Sequence, residues 1–213
     1  MNSVLVYDGS FKGLLTAVYR VFDQNLKSVR ISRKGRSTPD IFSEQVLVET
    51  NPQEALKVWK ALRLKAGSSG ADRIYRAFLS ELKGAENCIL EYVKTAYGVE
   101  QFNAQDSGYS CIKNINHAAA MVTRSEERSF EVIGRSMNNH GNKWIRVAPD
   151  FNVVPLIAKR LQVSEGDRPW VIYDTKRNYG FRNTSSGLEP VYESHVMEMD
   201  TSPEVETRVV YTS

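Results

Sequence analysis

The sequence predicts an α+β fold, in which a small mixed or antiparallel sheet from an N-terminal strand and C-terminal hairpins packs against a helical middle. Three observations lead to this prediction. An apolar run at residues 4–7 precedes apolar positions at helical spacing. Amphipathic helical stretches then fill residues 51–97. Finally, residues 170–174 and 179–182 have the pattern of two paired strands.

The N-terminal segment predicts a strand, a turn and a helix. The apolar run ends at Asp8-Gly9, and Ser10 can cap a helix over residues 11–22. In the basic stretch that follows, Val29 and Ile31 alternate with polar residues, so part of it is predicted as a strand. Residues 45–49 read as another strand or an extended link.

The helical middle begins with a strong start signal. Asn51 can cap a helix with Pro52 at its first position and Glu54 reaching back. The run Gly67-Ser68-Ser69-Gly70 predicts a break, and two further helices are expected before Gly84 and Gly98. The pattern is helical again over residues 112–133.

The C-terminal part alternates strand and helix signals. Residues 143–147 and 170–174 are predicted as strands, with a short helix over residues 153–161 between them. Residues 191–195 form a possible last strand. We therefore predict one α+β domain over residues 1–198 and a polar tail over residues 199–213, either disordered or an edge strand.

Composition and charge set wide bounds on function. The chain has 213 residues, and 28 Lys and Arg against 25 Asp and Glu give a net charge of +3. That balance permits nucleic-acid binding without requiring it. Cys88 and Cys111 are predicted to be reduced, buried thiols. With no signal-peptide pattern and no long apolar run, we expect a cytoplasmic protein without a membrane partner.

The sequence contains no recognisable catalytic or metal-binding motif. His117, His140 and His195 are far apart, and neither a phosphate-binding glycine loop nor a nucleophile elbow is present. We therefore predict no metal and no cofactor, and the catalytic residues stay unassigned. The turn at Asp8-Gly9-Ser10 suits an anion at a helix N-terminus, or is simply a tight turn with a cap.

Two basic regions are candidates for phosphate contact. The first comprises Arg30, Arg33, Lys34 and Arg36, and its alternative interpretation is an ordinary solvated strand edge. The second, at Lys176, Arg177 and Arg182, lies around a hairpin rich in aromatic residues, which either stack bases or belong to the core.

Three segments resemble a bacterial family of DNA metabolism or DNA repair proteins whose activity is not established. They are residues 6–22, residues 122–135, and residues 148–161 followed by residues 170–181. The similarity spans most of the chain, to about residue 183. The first and last segments are fairly specific, whereas the helical middle is not.

The resemblance implies an accessory role in DNA repair. Members of the family are encoded beside a radical SAM protein of DNA modification or repair, and in other bacteria the domain is fused to a uracil-DNA glycosylase-like domain. No catalytic residues can be carried over. Arg128 and Arg160 stand where relatives often have histidine, and Arg135-Ser136 replaces an expected Arg-Phe pair. If the histidines of the relatives serve chemistry, this chain lacks that chemistry; if they serve phosphate contact, arginine keeps the positive charge and strengthens it.

Three functional hypotheses follow from the sequence. The first is an accessory protein that binds DNA or a radical SAM partner, with Arg128, Arg135, Arg160, Lys176 and Arg177 as a second surface. The second is a nucleic-acid-processing enzyme with an unrecognised pocket. The third is a pure protein–protein interaction module. The positions expected to matter in a pocket are Asp8, Ser10, Tyr173 and Asp174.

Overall fold

The chain folds into two compact units, Met1–Ala119 and Ala120–Ser213. The computed structural model describes residues 2–36, 43–98, 107–140, 144–192 and 209–210. The boundary between the units falls within a long helix. None of the helices in these ranges is long and apolar enough to cross a membrane.

The first unit is built on a parallel sheet of three strands. They are β1 (Asn2–Tyr7), β2 (Val29–Arg33) and β3 (Ser43–Leu47), in the order β2-β1-β3. Leu5 stands opposite Ile31 on one side and Val46 on the other. Strand β1 is central because it pairs with both other strands, and its residues from Val4 to Tyr7 are all buried, as expected of a parallel strand covered on both faces.

In the described part of this unit, four helices lie wholly or partly: α1 (Phe11–Asp23), α2 (Pro52–Leu79), α3 (Ala85–Ala96) and the beginning of α4 (Ser107–His140). The predicted caps are confirmed, since Ser10 accepts from the backbone N–H of Gly13 and Asn51 accepts from the first turn of α2. The predicted break at Gly67 is a kink within α2, where φ is 70°. The core contains apolar side chains of α1, α2 and α3.

The second unit carries a mixed sheet beside a short helix. Its strands β4 (Trp144–Val147), β5 (Val171–Asp174), β6 (Tyr179–Thr184) and β7 (Gly187–Tyr192) pair in the order β7-β6-β5-β4, and the two-residue β8 (Val209–Val210) lies beside β4. The β4–β5 pair is parallel, while β5–β6 and β6–β7 are antiparallel. Helix α5 (Val154–Glu165) connects β4 to β5.

The α+β class is confirmed, but the prediction of a single sheet is wrong. The N-terminal strand does not join the C-terminal hairpins, because β1 takes both of its partners, β2 and β3, from the first 47 residues. Hydrophobic pattern identifies a strand without naming its neighbours, which tertiary packing decides. The predicted strand positions Lys143 and His195, and the tail residues 199–208 and 211–213, lie outside the described residues.

Candidate nucleic-acid interface

A cavity of about 510 Å³ opens beside β2 in the first unit. Strand β1, strand β2 with the residues that follow it, the connection from α2 to α3, and the first turn of α3 line this cavity. Its lining residues are Val4, Arg30, Ile31, Ser32, Arg33, Arg36, Glu81, Lys83, Gly84, Glu86 and Asn87. Hence three of the four residues of the first predicted basic region, Arg30, Arg33 and Arg36, line one cavity.

Ion pairs and hydrogen bonds hold two of these arginines in place. Arg33 Nη1 lies 3.0 Å from Glu81 Oε1, and Arg36 Nη1 donates to the backbone carbonyl of Glu81 at 2.8 Å. Arg33 also packs on Gly9, where φ is +90° and an added Cβ would clash with the guanidinium. Glu81 therefore fixes both guanidinium groups at the cavity.

Asn87 covers the outer edge of β2. Its Oδ1 accepts from the backbone N–H of Ile31 at 3.0 Å, and its Nδ2 donates to the carbonyl of Ile31 at 3.3 Å. The side-chain amide thus satisfies both outward backbone groups of Ile31, as a neighbouring strand would. This contact fixes the first turn of α3 against the cavity wall.

Tyr7 is buried and contacts Glu86, one of the acidic residues that line the cavity. Its Oη donates to Glu86 Oε1 at 3.3 Å. Burial, and then the negative charge of Glu86, raise the pKa of Tyr7 well above its ordinary value. The phenol therefore stays protonated at neutral pH and acts as a hydrogen-bond donor to the carboxylate.

The electrostatic balance of the cavity is positive. Among the described residues that line it, four side chains are basic and two are acidic. Gly84, the N-cap of α3, provides no side-chain cap for that helix, so the positive end of the helix dipole adds to the field at this wall. Such a site attracts anions, and arginine forks suit phosphate oxygens.

Asp8 and Ser10, two of the predicted pocket residues, serve the start of α1. Asp8 Oδ1 accepts from the backbone N–H of Ser10 at 2.8 Å, and Asp8 Oδ2 accepts from the hydroxyl of Thr50 at 2.8 Å. Burial alone would raise the pKa of Asp8, but these hydrogen bonds outweigh it and hold the pKa below its ordinary value. The carboxylate itself thus occupies the region of the helix N-terminus that suits an anion.

In the second unit, Tyr173 and Asp174 are buried in β5. Asp174 Oδ1 accepts from the backbone N–H groups of Lys176 and Arg177, and Asp174 Oδ2 lies 2.9 Å from Arg177 Nη1. Arg177 also donates to the carbonyls of Pro149 and Asp150. These contacts shape the turn between β5 and β6, which gives Asp174 and Arg177 a structural role.

The other predicted cations of the second unit lie on separate elements. Lys176 is 2.7 Å from Asp150, and Arg135 pairs with Glu131 on α4. Arg160 on α5 is 3.8 Å from Glu126 and lies over the Phe130 ring, 3.9 Å from its centroid. Arg128 on α4 and, in the first unit, Lys34 after β2 are exposed.

The sequence did not single out the second wall of the cavity. Glu81, Lys83, Glu86 and Asn87 come from the connection between two helices and from the first turn of α3. The only local signal was a short polar connection ending at Gly84, and it does not specify which strand the connection faces. Within the described ranges, no group of His, Cys, Asp and Glu side chains is arranged to hold a metal ion.

Comparisons of this chain with protein-family models, with curated proteins and with solved structures give no match.

Proposed function

We propose that this chain is an accessory protein of DNA metabolism or repair that binds nucleic acid through the basic cavity beside β2. The observation that carries the proposal is the convergence of Arg30, Arg33, Arg36 and Lys83 on one cavity. The resemblance in sequence adds the biological setting. It supports a role beside a radical SAM partner, to which the accessory protein would present its nucleic acid.

Phosphate is the group that this chemistry suits best. Arginine guanidinium groups bind phosphate oxygens through two parallel N–H bonds, and lysine adds a compact charge. Because Glu81 positions Arg33 and Arg36, part of the ordering cost is met before a ligand arrives. The volume of about 510 Å³ lies in the range of small-ligand sites.

The proposal predicts salt-sensitive and sequence-independent binding. Labelled single-stranded and duplex oligonucleotides of mixed sequence would be titrated with the protein in a salt series, with fluorescence anisotropy as the readout. For about three phosphate contacts, log K should fall against log salt with a slope of about −2 to −3. Absence of binding at low salt, or an affinity that does not change with salt, would remove the DNA-contact proposal.

A matched pair of variants locates the contact. The triple change Arg30→Gln, Arg36→Gln and Lys83→Gln should lower the affinity and bring the slope close to zero. The control changes three cations of α2 that are exposed and outside the cavity lining, namely Lys60, Arg63 and Lys65, to glutamine. The control should keep the wild-type slope, since both variants lose the same charge.

An acidic segment of a protein partner is the competing occupant of the cavity. In that case the protein should bind no oligonucleotide, and co-purification of the radical SAM partner should depend on the cavity cations while tolerating the α2 control. With this outcome, the proposed function would be protein–protein interaction and not nucleic-acid binding.

A further inference from the structure

Two cysteines that are distant in sequence meet in the first unit. Cys88 on α3 and Cys111 in the beginning of α4 are 23 residues apart, and their Sγ atoms lie 2.7 Å from each other. Both are free thiols and both are half-buried, so a small oxidant can reach them. From the sequence they were predicted to be separate buried thiols, because they do not form a CxxC pair.

We propose that Cys88 and Cys111 are a reversible dithiol–disulfide pair that links α3 to α4 when a peroxide oxidises them. A disulfide has an S–S bond of about 2.05 Å, so the two sulfurs need to approach by less than about 1 Å. Neither helix has to move far for the bond to form. This inference does not depend on the proposed function.

The contacts around the two sulfurs favour one order of events. Burial, with a further contribution from the hydrogen bond and charge of Cys88, raises the pKa of the Cys111 thiol to about 12. Because the thiolate is the nucleophile, Cys111 is a poor first attacker. Cys88 also accepts a hydrogen bond from Asn114 Nδ2 at 4.0 Å in an exposed contact, so we assign Cys88 as the sulfur that meets the oxidant and Cys111 as the resolving thiol.

The chemistry balances with hydrogen peroxide as the only co-reactant. The Cys88 sulfur attacks one peroxide oxygen, the O–O bond breaks and water leaves, which gives a sulfenic acid at Cys88. The Cys111 sulfur then attacks the Cys88 sulfur, the S–O bond breaks, and the thiol proton of Cys111 leaves with the hydroxide as a second water. Two electrons pass from the two sulfurs to the peroxide.

Oxidation would link α3, the helix that lines part of the cavity, covalently to α4. Helix α3 carries Glu86 and Asn87 of the cavity lining, and Asn87 is hydrogen-bonded to the backbone of Ile31 on β2. A bond between Cys88 and the start of α4 closes a loop in the unfolded chain, which stabilises the folded unit. The expected result is a melting temperature that rises by about 5–10 °C on oxidation.

The experiment uses the full chain, reduced and then treated with hydrogen peroxide. The wild type should form its disulfide within one chain, lose the mass of two hydrogens, and resist maleimide after unfolding. Protease mapping should then find residues 84–94 linked to residues 95–113. Dithiothreitol should restore both thiols and the lower melting temperature.

Two matched single variants make the inference testable in detail. Cys111→Ser should accumulate a sulfenic acid at Cys88 that dimedone traps, whereas Cys88→Ser should stay unmodified at Cys111, and neither should melt higher after oxidation. Two alkylatable thiols in the treated wild type, disulfide-linked dimers, or sulfinic acid at either cysteine would overturn the proposal. Preferential trapping at Cys111 would overturn the assigned order.

Discussion

At Asp8, one carboxylate ties the end of β1 to the start of α1 and to the segment after β3. It receives hydrogen bonds from the backbone of Ser10 and from the side chain of Thr50. Gly13 is required next to it, because a Cβ there would clash with both Asp8 and Thr50. The Ser10 cap was predictable, since a cap depends on neighbours in sequence. The contact with Thr50 was not, because 42 residues separate the partners.

The lowered pKa of Asp8 predicts a pH-dependent contribution to stability. Folding favours the ionised form, so the contribution is complete above the ordinary pKa of 3.8 and is lost as the pH falls through the lower folded pKa. Asp8→Asn keeps the shape but removes the charge. Because Asp8 is exposed, we expect the free energy of unfolding at neutral pH to fall by no more than about 1 kcal/mol.

Urea unfolding of the wild type and of Asp8→Asn, measured from neutral pH to about pH 2, checks this expectation. The gap between the two proteins should narrow as the pH falls below 3.8. Thr50→Val should show a smaller gap with the same pH direction, since it removes one of the hydrogen bonds that favour the carboxylate. A gap that does not vary with pH would contradict the charge argument.

At the scale of elements, β5 and β6 approach each other closely at Gly180. This residue is buried opposite Tyr173, and a Cβ at Gly180 would run into the backbone of Ile172 and lie 2.8 Å from the Cα of Tyr173. The sequence predicted this pair of strands from alternation and turn residues. It did not predict the role of Gly180, because that role depends on the separation of two backbones.

We expect Gly180→Ala to destabilise the second unit by about 2–4 kcal/mol, because the clash is with backbone and only separation of the strands relieves it. Gly134→Ala on α4 is the matched control. A Cβ there meets nothing within 4 Å in the described structure, so alanine should be neutral or stabilise the helix by up to about 1 kcal/mol. Differential scanning calorimetry measures both, and an unchanged melting temperature for Gly180→Ala would show that the strands yield easily.

Across the whole molecule, the sequence indicated the fold class and the basic side of the site but not how strands that are distant in sequence pair. Helix caps and the β5–β6 pair are local, so their patterns predicted them. The division of strands between two sheets depends on contacts between distant segments, as does the second wall of the cavity. Arg30, Arg33 and Arg36 were recognisable in the sequence as a charge cluster. The roles of Glu81 and Asn87 depend on their contacts with β2 and the residues that follow it, so the sequence did not predict them.

The distribution of charge differs between the two units. In the second unit, Arg135 and Lys176 each lie beside an exposed carboxylate, while Arg160 and Arg177 are partners of the buried Glu126 and Asp174. A cation that already faces a carboxylate releases fewer counterions from DNA. The cavity of the first unit has more cations than carboxylates, so it should dominate binding.

A second-unit triple variant tests this asymmetry. This variant removes three exposed positive charges through Arg128→Gln, Arg135→Gln and Lys176→Gln. It keeps the arginine partners of the buried carboxylates Glu126 and Asp174, because an unpaired buried carboxylate would itself destabilise the protein. We expect the salt slope of oligonucleotide binding to stay within about half a unit of the wild type, whereas the cavity triple variant should lose about two units. An equal loss in both variants would mean that the second unit also contacts phosphate, because counterion release counts the contacts wherever they lie.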